Sequence, residues 1–219
     1  MFENPAPEGE PSADGDDLQP ERLLALIDDE TRGMKRALAV QVPVYYFVWG
    51  GAWLLGYLLL WSAWPGSTSP VAVPGWLAIP AFAVLMLGAA ITSAAVGIRS
   101  NRGIKGVSDF VGTVYGLSWP ILGGTVAAIG YALVRAGISD DAAAIYYTSA
   151  YALLVAAMYL AGTLVWHSAD QLVIALVMAV AAAVTGFFGA PANMLAMALI
   201  AGPALLIGGV IALVRLRRM

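Results

Sequence analysis

Six apolar stretches, each close to 20 residues long and separated by short polar loops, leave this chain very few ways to fold. They run over Val40–Trp64, Leu77–Ile98, Val111–Val134, Ala143–Trp166, Leu172–Gly189 and Met194–Val214. About 20 helical residues, rising 1.5 Å each, cross a hydrocarbon core about 30 Å thick. A segment in lipid must satisfy its own backbone polar groups, and no alternating barrel pattern is present, so each stretch is expected to be a helix. Composition agrees: 60% of the residues are hydrophobic and 11% charged, against about 25% charged in a soluble domain. The fold class expected is all-α: a polytopic membrane protein of six transmembrane helices with a preceding cytoplasmic amphipathic helix.

That division sets three regions. Residues 1–19 are acidic and rich in proline and glycine, with few side chains able to form a core, and read as a disordered cytoplasmic tail. They lack the apolar run of a secretory signal. Residues 20–38 place Leu23, Leu24, Ile27, Met34 and Leu38 on one helical face, which predicts an interfacial helix on the inner leaflet. Residues 39–219 make the six-helix domain.

Charge placement predicts the orientation. Arg22, Arg32, Lys35 and Arg36 precede the first segment; Arg99, Arg102 and Lys105 lie between the second and third; Arg215, Arg217 and Arg218 follow the sixth. With six helices these ten cations share one side, and Arg135 stands opposite, near Asp140 and Asp141. The positive-inside rule then puts both termini in the cytoplasm. Trp61, Trp64 and Trp76 flank the uncharged loop "WPGSTSPVAVPGW" and suit the outer interface.

Function classes narrow by elimination. There is no cysteine and one histidine, His167, so thiolate chemistry and multi-histidine metal or haem sites within one chain are excluded. No Asp, Glu, Lys or Arg falls at the centre of a span, which argues against a proton pump or a carboxylate-driven antiporter. No catalytic residues, cofactor, metal or nucleic-acid partner is expected. Asp170 suits the cap of the fifth helix, and Ser108 with Asp109 that of the third.

Three residue sets remain. The loop "SNRGIKGVS" lacks phosphate-loop spacing. Its Arg99, Arg102 and Lys105, with Asp109, are candidates for contact with lipid headgroups or with a cytoplasmic partner. Tyr46, Trp49, Trp53, Tyr115 and Trp119 are candidates for an apolar or cationic substrate path, with ordinary core packing as the alternative. Gly50, Gly56, Gly112 and Gly116 fall at spacings that let helices approach, within one bundle or between copies in a homo-oligomer.

The amphipathic helix, the six spans and the basic element between helices two and three resemble the membrane half of an ABC-2-type exporter. That resemblance implies a leading helix lying on the membrane and a loop after helix two that docks on a separate ATPase. It has a departure: "GAPAN", before the last helix, is shorter than the outer re-entrant element of those permeases. The strings "YYFVWGGAWLLGY" and "RGIKGVSDFVGTVYGLSW" are similar to those of small uncharacterised actinobacterial six-helix membrane proteins of transporter type. Together these imply a transport component of a bacterial inner membrane, without its own ATPase, moving a small or apolar molecule. The other function class left open is a non-transporting scaffold, sensor or regulatory subunit.

Overall fold

Residues at the helix ends, two serine caps among them, decide where several of the apolar stretches start and stop as helices. The computed structural model describes residues 24, 40–100 and 107–218, so the expected acidic tail and almost all of the interfacial helix lie outside the described residues. Six long helices follow: α1 (Val42–Ala63), α2 (Gly75–Ser100), α3 (Val107–Arg135), α4 (Asp140–Trp166), α5 (Ala169–Val184) and α6 (Ala192–Arg217), with a 3-10 turn, Thr185–Phe188, extending α5. No strand occurs among the described residues. All six are long and apolar enough to cross a membrane, and the protein is a multi-pass helical membrane protein by that measure.

Most helices run past the hydropathy limits by a few residues. Charged residues end an apolar run, yet they suit a helix terminus electrostatically. Asp140 and Asp141 occupy the first turn of α4, while Arg215 and Arg217 occupy the last turn of α6, each opposite in sign to the local end of the helix dipole. The Ser139 hydroxyl caps α4 by accepting from the Ala142 N–H. At the start of α5 the cap is Ser168, whose hydroxyl accepts from Gln171 N–H. Asp170, expected to be that cap, lies inside the first turn and pairs instead with Arg215 of α6. Similarly, α3 has already begun at Val107, so Ser108 and Asp109 stand within its first turn rather than ahead of it.

The exits are equally local. Beyond α3, the Gly137 N–H donates to Val134 and the Ile138 N–H to Leu133. This double bond pattern needs a left-handed residue at its centre, and Gly137 supplies it with φ +92°. His167 closes α4 at φ 51°, an interfacial turn residue.

Packing follows one order around the bundle: α2, α1, α6, α5, α4, α3. The α1–α6 pairing is the most extensive, then α4–α5 and α1–α2. About a third of each of α1, α4, α5 and α6 is buried, against 6% of α2 and of α3. Four helices therefore form the core, with α2 clipped to α1 on one flank and α3 to α4 on the other. Alanines line the centre (Ala152, Ala156, Ala175, Ala181, Ala198 and Ala201), and Met178, Met197 and Leu205 fill the spaces between them. Small residues let backbones approach where lipid supplies no hydrophobic drive, and flexible methionine fills the irregular gaps.

Glycine sets the closest approach. A Cβ built on Gly202 of α6 would stand 2.7 Å from Leu54 Cβ and 3.0 Å from Leu54 Cα of α1. One built on Gly50 of α1 would stand 2.9 Å from the Leu206 backbone nitrogen of α6. Each helix thus receives a leucine of the other against its own bare backbone. Gly56 plays the same part toward α2, where Phe82 Cδ2 comes within 2.8 Å of the position its Cβ would take. Gly116 differs from the expectation of close packing, because no neighbouring atom lies within 4 Å of that position. It is exposed, and among the described residues no helix packs on it.

Candidate functional site

Among the described residues, charge is confined to the two ends of the bundle. One end carries Arg99, Asp170, Arg215, Arg217 and Arg218; the other carries Arg135, Asp140 and Asp141. Trp64 ties α1 to α4 at the latter end by donating from Nε1 to Asp141 Oδ1 at 3.1 Å. Among the described residues no group of three His, Cys, Asp or Glu could hold a metal ion. Between the ends the interior is apolar, with aromatic rings and a few neutral polar groups set into it.

The aromatic side chains separate into two groups. Toward the basic end, the ring of Tyr46 (α1) stacks on Tyr159 (α4) at 6.1 Å between centroids. Tyr159 meets the edge of Trp119 (α3) at 6.3 Å, Trp119 meets Tyr115 at 6.2 Å, and Tyr115 meets Trp166 (α4) at 4.6 Å. These five rings form one unbroken row from α1 across α4 to α3. Tyr115 is also fixed by its hydroxyl, which donates to the Met158 carbonyl at 3.1 Å. Nearer the acidic end, Trp53 packs on Tyr57 at 5.4 Å and Tyr57 on Phe82 (α2) at 5.6 Å.

The five aromatics expected to share a path are therefore divided. Tyr46, Tyr115 and Trp119 belong to the row. Trp53 is buried in the second group, and Trp49 turns toward α2, donating to Ser93 Oγ at 2.9 Å. Tyr159 and Trp166 complete the row and were missed by sequence reasoning. They stand seven residues apart on α4, two helical turns along one face, and that spacing was the signal available.

Neutral polar groups flank the rings. Gly162 of α4 has no side chain, and its place is taken by the Gln171 carboxamide of α5 and the Tyr115 hydroxyl of α3. Three helices meet at this one glycine. At the other end Thr148, Thr185 and Asn193 are fully buried or nearly so. Asn193 Nδ2 donates to Thr148 Oγ1 at 3.4 Å. Two buried side-chain oxygens, Gln171 Oε1 and Asn193 Oδ1, accept no hydrogen bond. Separately, an apolar groove of about 370 Å³ runs between α4 and α5, lined by Ile145, Tyr146, Ser149, Leu153, Ala179 and Ala183 among others.

The flank helix α3 is held by hydroxyls as well as rings. Tyr146 and Tyr151 of α4 donate to the Val126 and Gly123 carbonyls of α3 at 3.0 and 3.2 Å. The Tyr147 ring covers Gly130.

Of the basic candidates, Arg99 lies exposed in the last turn of α2 and Asp109 in the first turn of α3, at the same end of the bundle. Arg102 and Lys105 lie outside the described residues. Gly50 and Gly56 stand at interhelix contacts, Gly116 does not, and Gly112 lies one turn earlier on α3. Chemically, the interior offers ring faces, hydroxyls and amide oxygens, a set suited to holding an apolar or cationic group. No protein-family model, curated protein or solved structure matches the chain.

Proposed function

We propose that the protein is an integral membrane transport component that moves a small apolar or cationic molecule. The observation that carries this reading is the row Tyr46–Tyr159–Trp119–Tyr115–Trp166. It spans helices that belong to both the core and a loosely covered flank. Ring faces attract cations by about 0.5–2 kcal/mol each when desolvated and accept apolar groups without penalty. Rings set across a seam between helices, beside the unpartnered Gln171 amide oxygen, can hold a guest in a way that a closed alanine core cannot.

In this reading the protein sits in a bacterial inner membrane with both ends of the chain in the cytoplasm, because ten of its eleven cations share one side. Arg99, Arg102, Lys105 and Asp109 face the cytoplasm there. They contact anionic headgroups or a separate ATPase subunit, which supplies the energy that this chain has no nucleotide loop to harvest.

The test uses purified protein and two probes, tetraphenylphosphonium and a neutral apolar dye, followed by tryptophan quenching and by uptake into liposomes. Saturable binding of at least one probe is expected, weakened about tenfold by Trp119→Leu or Tyr159→Leu. Absence of saturable binding of both probes would sink the transport reading. A second reading, a non-transporting scaffold or regulatory subunit, draws on the outward faces of α2 and α3, which the described residues leave uncovered. Recovery of a stable membrane partner together with absent probe binding would favour it.

A further inference from the structure

We propose that the acidic N-terminal segment of this chain, residues 1–30, docks on the basic end of the bundle, on the surface that carries Arg99, Arg215, Arg217 and Arg218. The proposal stands whether or not the protein transports anything.

Placement leads to it. The chain enters α1 between the two helix ends that carry these arginines. The Tyr45 hydroxyl of α1 lies 3.7 Å from the position a Cβ on Gly97 of α2 would take, and the Phe47 ring lies 3.2 Å from that of Gly209 of α6. Both side chains belong to the first turns of α1, which starts at Val42. Arg99 follows Gly97 by one intervening residue, and Arg215 stands about 9 Å along α6 from Gly209. Whatever precedes Val42 therefore leaves the bundle with Arg99 on one side and Arg215, Arg217 and Arg218 on the other. All four arginines are exposed. The Asp170 carboxylate is taken by Arg215, so among the described residues Arg99, Arg217 and Arg218 have no carboxylate paired with them.

Charge and reach select the occupant. Of the 14 acidic residues in the chain, all but Asp109, Asp140, Asp141 and Asp170 lie within residues 1–30, beside a single cation, Arg22. Asp140 and Asp141 belong to the opposite end of the bundle. A chain spans at most about 3.3–3.6 Å per residue, so Glu30 can stand up to about 40 Å from Val42, and the earlier carboxylates further. The four arginines surround the entry point and fall inside that radius. A short covalent tether gives the carboxylates a high effective concentration there, so a free anion must compete with them. Surface ion pairs are individually weak and screened by salt. Several along one segment make a contact that holds at low ionic strength and opens at high. Anionic headgroups or a partner subunit would need the same arginines, which makes the segment a built-in competitor for that surface.

The experiment uses the full chain in an uncharged detergent, with Ser12→Cys on the acidic segment and Ala169→Cys on the bundle. Ala169 is exposed at the start of α5, beside the Asp170–Arg215 pair, and no native cysteine interferes. A short bis-maleimide joins the two thiols. Trypsin then cuts at Arg22, Arg32, Lys35 and Arg36, so the segment stays with the bundle only where it is cross-linked. The cross-linked fraction at about 0.05 M salt should fall roughly three- to tenfold at about 1 M, where the Debye length is about 3 Å. The combined variant Arg99→Gln, Arg217→Gln, Arg218→Gln should lower it by a similar factor at low salt. So should Asp14→Asn, Asp16→Asn, Asp17→Asn, which alters no residue of the bundle and cannot act through its folding. A fraction that salt and both variants leave unchanged overturns the proposal, because the segment is then near only by its tether. A fraction that falls with Arg32→Gln, Lys35→Gln, Arg36→Gln but not with the bundle arginines overturns it too, because the carboxylates then pair with their own chain neighbours.

Discussion

Replacing Gly202 by alanine should separate the two most extensively packed helices, and the size of the effect can be worked out. The new Cβ would lie 2.7, 3.0 and 3.1 Å from Leu54 Cβ, Cα and N. Ordinary carbon contacts sit at about 3.5–4.0 Å, so the deficit is roughly 1 Å. Two of the three atoms are backbone, and no rotamer change can withdraw them. Relief comes only by moving α1 away from α6, and a gap of 0.5–1 Å forfeits about a quarter to a half of each dispersion contact along the seam. Overpacking of this kind costs about 1–3 kcal/mol. Alanine recovers about 0.5–1 kcal/mol of helix propensity, which leaves a net loss of roughly 1–2 kcal/mol. At about 2–4 °C per kcal/mol for a chain of this size, Tm should fall by about 3–6 °C. Gly51→Ala is the internal control: it lies in α1 beside Gly50, with no atom within 4 Å of its would-be Cβ, and should leave Tm unchanged or slightly raised. Unfolding by heat in detergent, followed by tryptophan emission, measures both. If Gly202→Ala is as stable as Gly51→Ala, close backbone contact is not what holds α1 to α6.

Two further outcomes can be measured alongside it. Gly162→Ala should destabilise by about 1–3 kcal/mol, because its methyl would enter the space of the Gln171 carboxamide and the Tyr115 hydroxyl; adding Gln171→Ala should restore part of the loss, and an additive pair would refute the shared space. Because the chain has no native cysteine, Thr68→Cys and Arg218→Cys can be labelled singly in intact cells with an impermeant maleimide. Thr68→Cys should react and Arg218→Cys should not; the reverse pattern would invert the proposed orientation.

The number and placement of the helices could be read from the sequence because each apolar run reports its own burial in lipid, whatever it packs against. Even the longer observed limits obey a local rule, since Asp140, Arg215 and Arg217 favour the helix ends that a hydropathy limit cuts off. Partner choice is not local. Gly112 and Gly116 carry the familiar four-residue spacing, yet Gly116 faces no described helix, while Gly202 and Gly162, like the expected Gly50 and Gly56, have other helices pressed against them. Spacing says that a helix can be approached; which helix approaches depends on the remaining five. The same reason divided the aromatics. Trp49 and Trp53 share α1 with Tyr46, but the flank helix α2 draws Trp49 to Ser93 and supplies Phe82 to the Trp53 group. Asp170 looked like a cap because its partner Arg215 stands 45 residues away.

The dominance of the α1–α6 pairing has a consequence for how the protein is made. The first of the six spans leaves the ribosome well before its principal partner, with roughly 130 residues of synthesis between them, about ten seconds at ordinary elongation rates. During that interval the bare backbone at Gly50 faces lipid, or whatever chaperone or insertase attends it. The inner four-helix arrangement cannot close until α6 arrives, so a chain cut before Ala192 should leave α1 and α2 as one half and α3, α4 and α5 as another, joined only through side-chain contacts such as Tyr46–Tyr159 and Trp64–Asp141. Quality-control proteases in the membrane would meet two half-assemblies rather than a slightly shortened bundle.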